Sequence, residues 1–376
     1  MTHHHSNRKV AAFLLFIFFC LPVLSKNMES AAQAVKNMGA GWNIGNTLDA
    51  NSPAPGAQNP ISVEAYETGW GQPVISRNLI RMFKKKGFGA IRVPVTWWPH
   101  MDKDTMVNKA WMDRVETVVR YVLNEGMYCI LNVHHDTGES SSCWLRADTT
   151  HFNAMNARYV KLWQQIARRF QGYGQRLVFE GYNELLDRNS TWNFPPDASS
   201  YTAVNRLAQS FVNTVRATGG NNATRNLMVN TYAAAHGDDP ANNNHVLSAF
   251  RLPHDTTKGH LIVSVHSYNP WNWDKDGGRW TEECDKDLDE MFTRLDKYFL
   301  SRGIPVIIGE YGALNINATP QSQAEGVKYA RALVSRAKRR GIAAFYWMGL
   351  SNGPDRTIPR WTLPQVADAI VNEVKK

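Results

Sequence analysis

Two glutamates hold the chemistry that this 376-residue chain can be read to perform. Glu184 closes the run 177–184 and Glu310 lies near the end of the run 305–312, both rich in β-branched or aromatic residues. Two carboxyl groups at the ends of otherwise apolar strands, aimed at one bound molecule, can serve as an acid and a nucleophile. Cleavage of a glycosidic bond needs that pair, one protonated group for the leaving oxygen and one carboxylate at the anomeric carbon. Other runs also end in polar groups. Arg92 lies in 90–97, His134, His135 and Asp136 close the third run, Asn183 precedes Glu184, His266 and Tyr268 end the sixth, and Trp347 ends the eighth. Arg92 beside Glu310 would lower its pKa and keep it charged, while Glu184, among Trp and His, would be the carboxyl whose pKa rises.

For these side chains to meet, their strands must run parallel and end on one rim. From residue 40 onward, short apolar runs alternate with amphipathic stretches, the pattern of a parallel sheet covered by helices. Strands are expected at 41–47, 90–97, 128–135, 177–184, 226–232, 261–268, 305–312 and 343–348. Helices are expected at 76–86, 110–125, 153–170, 204–217, 288–301 and 324–339, with only a short helical stretch near 246–250 in the fifth unit. Gly87, Gly126, Gly219, Gly303 and Gly341 follow helices as left-handed caps would. Eight such units predict an α/β fold, a single-domain (β/α)8 TIM barrel, with an open doubly wound sheet as the alternative. Closure is favoured because Gly41-Trp42-Asn43-Ile44-Gly45-Asn46 lies within a strand and leads into no helix N-terminus, as a phosphate loop would.

With 43% hydrophobic and 20% charged residues the chain is neither disordered nor of low complexity. Its 13 tryptophans are expected to be either buried, some as loop cores, or used as flat apolar platforms for ligands, a use that suits sugar rings. The formal charge of +9 concentrates at helix ends such as Lys84-Lys85-Lys86, where cations complement the helix dipole, so no nucleic-acid partner is expected. Arg8 and Lys9 precede an uncharged run over 10–24 that is too short to span a bilayer. Residues 1–25 therefore read as a signal peptide and 26–376 as the catalytic domain, secreted or periplasmic, free of the membrane after cleavage and acting as a monomer. Cys129, Cys143 and Cys284 lack the spacing of a zinc site, and a bridge between Cys143 and Cys284 is a question that spacing leaves open.

Two other uses of these residues compete with hydrolysis by paired glutamates. A metal centre would draw on His134, His135 and Asp136, but adjacent strand residues point to opposite sides, so the two histidines should not reach one ion. No metal and no cofactor is expected. A non-catalytic sugar-binding barrel would share the aromatic rim, yet has no need of paired carboxylates.

The motifs GWNIGNTLDA (41–50), ETGWGQP (67–73), GFGAIRVPVTW (87–97), ILNVHHD (130–136), FEGYNE (179–184), SVHSY (264–268), IIGEYGA (307–313) and FYWM (345–348) together resemble glycoside hydrolase family 5, in its cellulase-like bacterial branch. Leu185 stands where many members carry Pro, which bears on loop shape and not on Glu184. The resemblance implies a retaining β-glycosidase with Glu184 as acid/base and Glu310 as nucleophile. It further implies that Asn183 binds the 2-hydroxyl, that Arg92 and Tyr268 bond Glu310, and that His266 orients Glu184. His134 would line the site and Trp347 would stack on a sugar. Asn43 and Asn46 would lend supporting hydrogen bonds. Asn43, Trp97, Trp271 and Trp273 are the further subsite candidates, with Trp70, Trp98, Trp144 and Trp280 also placed on or near rim loops. The implied partner is a β-1,4-glucan chain, with xyloglucan, mixed-linkage glucan and mannan as alternatives.

Overall fold

The computed structural model describes residues 1, 28–270, 273, 278–313, 320–347, 354–362 and 364–376. Eight parallel strands close in chain order: β1 (Ala40–Asn43), β2 (Ala90–Val93), β3 (Tyr128–Asn132), β4 (Leu177–Glu180), β5 (Leu227–Asn230), β6 (Leu261–Ser267), β7 (Val306–Tyr311) and β8 (Ala343–Tyr346). Pairing of β1 with β8 completes the barrel, so the open sheet is set aside.

Alternation along each strand divides its side chains between two apolar clusters. Trp42, Ile91, Leu131, Phe179, Val229, Val263, Ile308 and Tyr346 join the layer shared with the helices. Ala90, Ile130, Val178, Met228, Ile262, Ile307 and Phe345 join the inner cluster. Two residues further along six strands, the next inner positions are polar: Asn43, Arg92, Asn132, Glu180, Asn230 and Ser264, all fully buried. The barrel is thus apolar at its N-terminal end and polar at its C-terminal end, where the site lies.

A helix that the sequence reading did not anticipate closes the apolar end. In α1 (Ala31–Met38), Ser30 caps the first turn by accepting from the Gln33 amide, and Ala31, Ala34, Val35 and Met38 belong to the inner cluster. Gly89 is needed beneath it, because a Cβ there would lie 2.4 Å from the Met38 carbonyl oxygen.

The outer layer contains α2 (Val63–Glu67), α3 (Arg77–Lys86), α4 (Lys109–Asn124), α5 (Phe152–Arg169), α6 (Ser199–Ala217), α7 (Val246–Ala249), α8 (Glu282–Tyr298), α9 (Pro320–Arg339) and α10 (Pro364–Lys375). In α4 the Asn108 side chain caps the first turn, and Trp111, Val115, Val118, Val119 and Val122 recur at three and four to form the buried stripe. Gly87, at φ 113°, ends α3 in the left-handed region. The fifth unit holds only the four residues of α7, as expected. A small antiparallel pair, β9 (Pro354–Asp355) and β10 (Arg360–Trp361), follows β8, and its Trp361 packs against Trp42, Phe83 and Phe88.

Candidate active site

Arg92 is the hub of the polar layer. Its register in β2 places it beside Asn43 of β1 and Ile130 of β3. Nε donates to Glu180 Oε2 at 2.6 Å, and Nη2 donates to Glu180 Oε1 at 3.1 Å and to Asn183 Oδ1 at 2.8 Å. Nη1 donates to Asn43 Oδ1 at 3.0 Å and to Glu310 Oε1 at 2.7 Å. A fully buried guanidinium is costly unless its donors and charge are matched, and the two carboxylates do both. Their attraction outweighs desolvation and holds Arg92 above its ordinary pKa.

Glu310 reaches this hub through a bulge. Val265 pairs with Ile308 but His266 pairs with Glu310, so Gly309 is an extra residue in β7, and the register against β8 shifts there too. A Cβ on Gly309 would lie 2.7 Å from Ser264 Oγ. The bulge sets Glu310 level with inward-facing His266, where Tyr268 OH donates to Oε2 at 2.7 Å. Burial raises the Glu310 pKa, opposed by His266, Arg92 and the Tyr268 hydrogen bond. The expected lowering by Arg92 is therefore present but outweighed. Burial likewise raises Tyr268 well above the usual phenol range, so it remains a donor.

Glu184 lies four residues beyond the end of β4. The Gly181 carbonyl accepts from Tyr159 OH at 2.8 Å and Trp163 Nε1 at 3.0 Å, both on α5, and the Asn183 amide donates to the Val133 carbonyl at 2.9 Å. These bonds fix the chain just before Glu184, whose Oε1 is 2.8 Å from His266 Nδ1. Burial pushes Glu184 up to about 7, with Arg92 lowering it and Glu180 and Glu139 raising it. Burial drives His266 down to about 4, so the ring is neutral near pH 7. An oxygen of Glu184, a ring nitrogen of His266 and an oxygen of Glu310 lie within 4.8 Å of one another. A carboxyl that keeps its proton near neutrality thus adjoins a carboxylate tied to a permanent cation, which equips the site for acid and nucleophilic work on the two atoms of one substrate bond.

A family model described as Cellulase (glycosyl hydrolase family 5) matches residues 55–353. The chain belongs to glycosyl hydrolase family 5. It is similar to Endoglucanase A of Ruminococcus albus, 34% identical over 368 residues that cover 92% of this chain and 93% of the relative. Endoglucanase A of Clostridium longisporum is also 34% identical, over 94% of this chain and 68% of its own length. Among solved structures, PbGH5A of Prevotella bryantii B14 has a TM-score of 0.86 and 46% identity, covering 92% of this chain and 99% of that one. A mutant form of that protein was solved with a xyloglucan tetradecasaccharide. A broad specificity GH5-4 endoglucanase from an uncultured bacterium has a TM-score of 0.83 and 43% identity, over 93% of this chain and 97% of that one. The protein is thus a glycoside hydrolase of the endoglucanase type.

In this family 5 endoglucanase the remaining predicted residues divide by burial. His134 places Nε2 4.0 Å from Glu310 Oε1, bonds Asn132 Nδ2 through Nδ1, and stacks parallel to Trp347 with centroids 5.7 Å apart. Gly45 makes room for that indole, since a Cβ there would lie 2.5 Å from it. Asn43 is corrected from subsite candidate to internal support: it is fully buried, and Nδ2 donates to the Gly309 and Phe345 carbonyls at 3.0 and 3.2 Å. Trp97 is likewise no subsite residue, being 0% exposed with Nε1 donating to the Asn132 carbonyl at 3.0 Å. Trp273 is half-buried and packs edge-on against Trp280 and beside Tyr329. Trp271 lies outside the described residues.

One other expectation changes, and one open question is answered. His134 and His135 stand beyond the end of β3, where strand alternation no longer applies, and Asp49, His134 and His135 bring ligand-type atoms within 4.8 Å of one another. Opposite strand faces therefore do not keep the two histidines apart, although both Asp49 oxygens already accept from the amides of Asn46 and Thr47. Cys143 and Cys284 are free thiols, one against the His135 carbonyl and the other accepting from Thr281.

Sequence reasoning missed Glu180 and Trp192. The signal for Glu180 was a charged residue inside the predicted fourth strand, an even number of positions from Glu184. Trp192 lies on the loop after β4, is 41% exposed, and donates from its indole N–H to Glu139 on the loop after β3.

Proposed function

We propose that this enzyme is a retaining endo-β-1,4-glucanase, with Glu310 as nucleophile and Glu184 as acid/base. In the first step Glu310 attacks the anomeric carbon while the glycosidic C–O bond breaks and the Glu184 proton passes to the leaving oxygen. In the second, Glu184 takes a proton from water, the water oxygen bonds to that carbon, and the Glu310 ester bond breaks. Asn183, oriented by Arg92, binds the 2-hydroxyl, whose contact strengthens in the oxocarbenium-like transition state. The observation that carries this reading is the convergence of one Glu184 oxygen and one Glu310 oxygen to within 4.8 Å, which favours the closer carboxyl spacing of retaining enzymes over the wider gap that an inverting water needs.

Half-buried Trp347 and the exposed indole of Trp192 support an open cleft with several sugar platforms, which suits internal attack on a polymer. Likeness to PbGH5A, which binds a xyloglucan oligosaccharide, supports a second reading in which xyloglucan is accepted alongside linear glucan. Proton NMR of the first product is the test of mechanism: the β-anomer first supports retention, and the α-anomer first removes Glu310 as nucleophile. Reducing-end and viscosity assays on cellulose derivatives, xyloglucan, mixed-linkage glucan and mannan decide the substrate.

The run over 10–24, which lies outside the described residues, supports export: residues 1–25 are a leader and 26–376 the catalytic domain, acting as a monomer outside the cell or in the periplasm. N-terminal sequencing of the exported protein and its mass in solution test this.

A further inference from the structure

Glu180 is a third glutamate in the charge network, and the proposed reaction leaves it without a role. It is fully buried on β4, and its two oxygens grip Arg92 at Nε and Nη2. Oε1 also accepts from Asn230 Nδ2 at 2.9 Å. Asn230 is itself fixed, since Tyr182 OH donates to its carbonyl at 2.9 Å and Nδ2 donates to the Asn183 carbonyl at 3.2 Å. A planar guanidinium held at Nε and Nη2 cannot turn about its own axis, so the Glu180 fork also fixes where Nη1 points. Nη1 is the group that meets Glu310.

We propose that Glu180 is a positioning residue for glycosyl transfer, holding the Arg92 plane and sharing its charge so that Glu310 is oriented yet stays reactive. This rests on the reading of Glu310 as nucleophile and Glu184 as acid/base. A cation neutralised by Glu310 alone would bind that carboxylate most tightly before it attacks, which opposes transfer of its charge to carbon. Divided between two carboxylates, the same cation orients Glu310 without overstabilising it. Glu310 is otherwise faced by Tyr268, His266, His134 and Glu184, and Glu184 by His266, Arg92, Tyr268 and Glu139. Glu180 is thus the carboxylate outside the reacting pair that shares Arg92 directly with Glu310.

The test compares Glu180→Gln and Glu180→Asp on an aryl β-cellobioside, with kcat and KM measured from acid to alkaline pH and the active fraction titrated with a 2-fluoro glycoside. Glu180→Gln removes the charge and places an amide N–H₂ among donors. It should lose about tenfold or more in kcat with KM within about twofold, and the alkaline limb of its pH profile, set by Glu184, should move to lower pH, because a negative charge that raises the Glu184 pKa is gone. Glu180→Asp keeps the charge but is too short to span Nε and Nη2. Its limbs should stay in place while kcat falls several-fold. An unshifted alkaline limb and wild-type kcat per titrated site in folded Glu180→Gln overturn the proposal and leave Glu180 a structural partner. Should Glu180→Gln fail to fold, wild-type kcat in Glu180→Asp overturns it alone. Inversion by the unmodified enzyme would instead remove the underlying assignment, whatever the variants do.

Discussion

His266 Nδ1 lies 2.8 Å from Glu184 Oε1 and 3.6 Å from Glu310 Oε2, so a single ring touches one carboxyl and borders the other. Burial keeps that ring neutral, which spares Glu184 a cationic neighbour that would strip its proton. The difference between the two glutamates then follows from their partners: Glu310 has a permanent cation and a phenol, Glu184 a neutral imidazole.

Activity should follow a bell in pH. The acid must be protonated and is pushed up to about 7, so turnover should fall as pH rises through that region. The nucleophile must be ionised, and its pKa is raised above the ordinary glutamate value, so turnover should also fall on the acid side. An alkaline limb of kcat/KM well above pH 8 would contradict the burial-driven shift of Glu184.

Glu184→Gln should change stability in a pH-dependent way. A folded pKa raised above the unfolded value makes the native carboxyl bind its proton longer, so its contribution is favourable in acid and is lost as pH rises from about 4.5 to about 7. The neutral amide avoids this loss. Urea melts at several pH values should show the variant gaining on the parent by up to about 3 kcal/mol across that window and no further above it. A constant difference would mean that the shift does not exist.

Arg92→Ala should damage both stability and turnover. Two buried carboxylates, Glu180 and Glu310, lose their cation, a change that costs about 3–5 kcal/mol when one partner of a buried pair is removed. Loss of nucleophile orientation should lower kcat by about 10² or more in the molecules that remain folded. Denaturant titration and active-site counting separate the effects, and a folded variant with parental kcat would confine Arg92 to structure.

Azide should distinguish the glutamates chemically. Glu184→Ala, given an aryl glycoside with a good leaving group, still forms its intermediate, and azide attacks it to give the β-glycosyl azide. Glu310→Ala forms no intermediate, and azide in the emptied space gives the α-azide. Swapped products on NMR would reverse the two roles.

Gly45→Ala should weaken the enzyme without touching a charged residue. Its new Cβ would press on the Trp347 indole, displacing a platform stacked with His134. A loss of about tenfold in kcat/KM on polymer with an unchanged melting temperature is expected. Parental kinetics would show that Trp347 contributes little to binding.

The strands were legible because five of the buried runs follow a helix-ending glycine and six carry a polar residue toward the C-terminal end, and that polar rim also disclosed Glu184, Arg92 and Tyr268. What stayed hidden depends on register. Simple alternation along 306–311 turns Gly309 inward and Glu310 toward the helices, and only the extra residue opposite β6 reverses this. Glu180 reads as an oddity in an apolar run until the closed sheet brings it to Arg92, 88 positions earlier. Trp97 was misplaced because an indole at a strand end satisfies rim and core alike until its N–H finds the Asn132 carbonyl. In α1 the residues are small, so the apolar stripe was faint although its face is fully enclosed.

That enclosed face has an electrical consequence. Ile130, Val178, Met228, Ile262 and α1 form an insulating floor under Arg92, Glu180 and Glu310, a slab of low permittivity with little polarisable matter to screen them from below. Field lines from the buried charges therefore emerge chiefly through the open mouth, where the glycosidic bond would lie. The hydrocarbon beneath the site directs its electrostatics, and hydrating that floor with a residue such as Ser in place of Ile130 would weaken the field at a carbon it never touches.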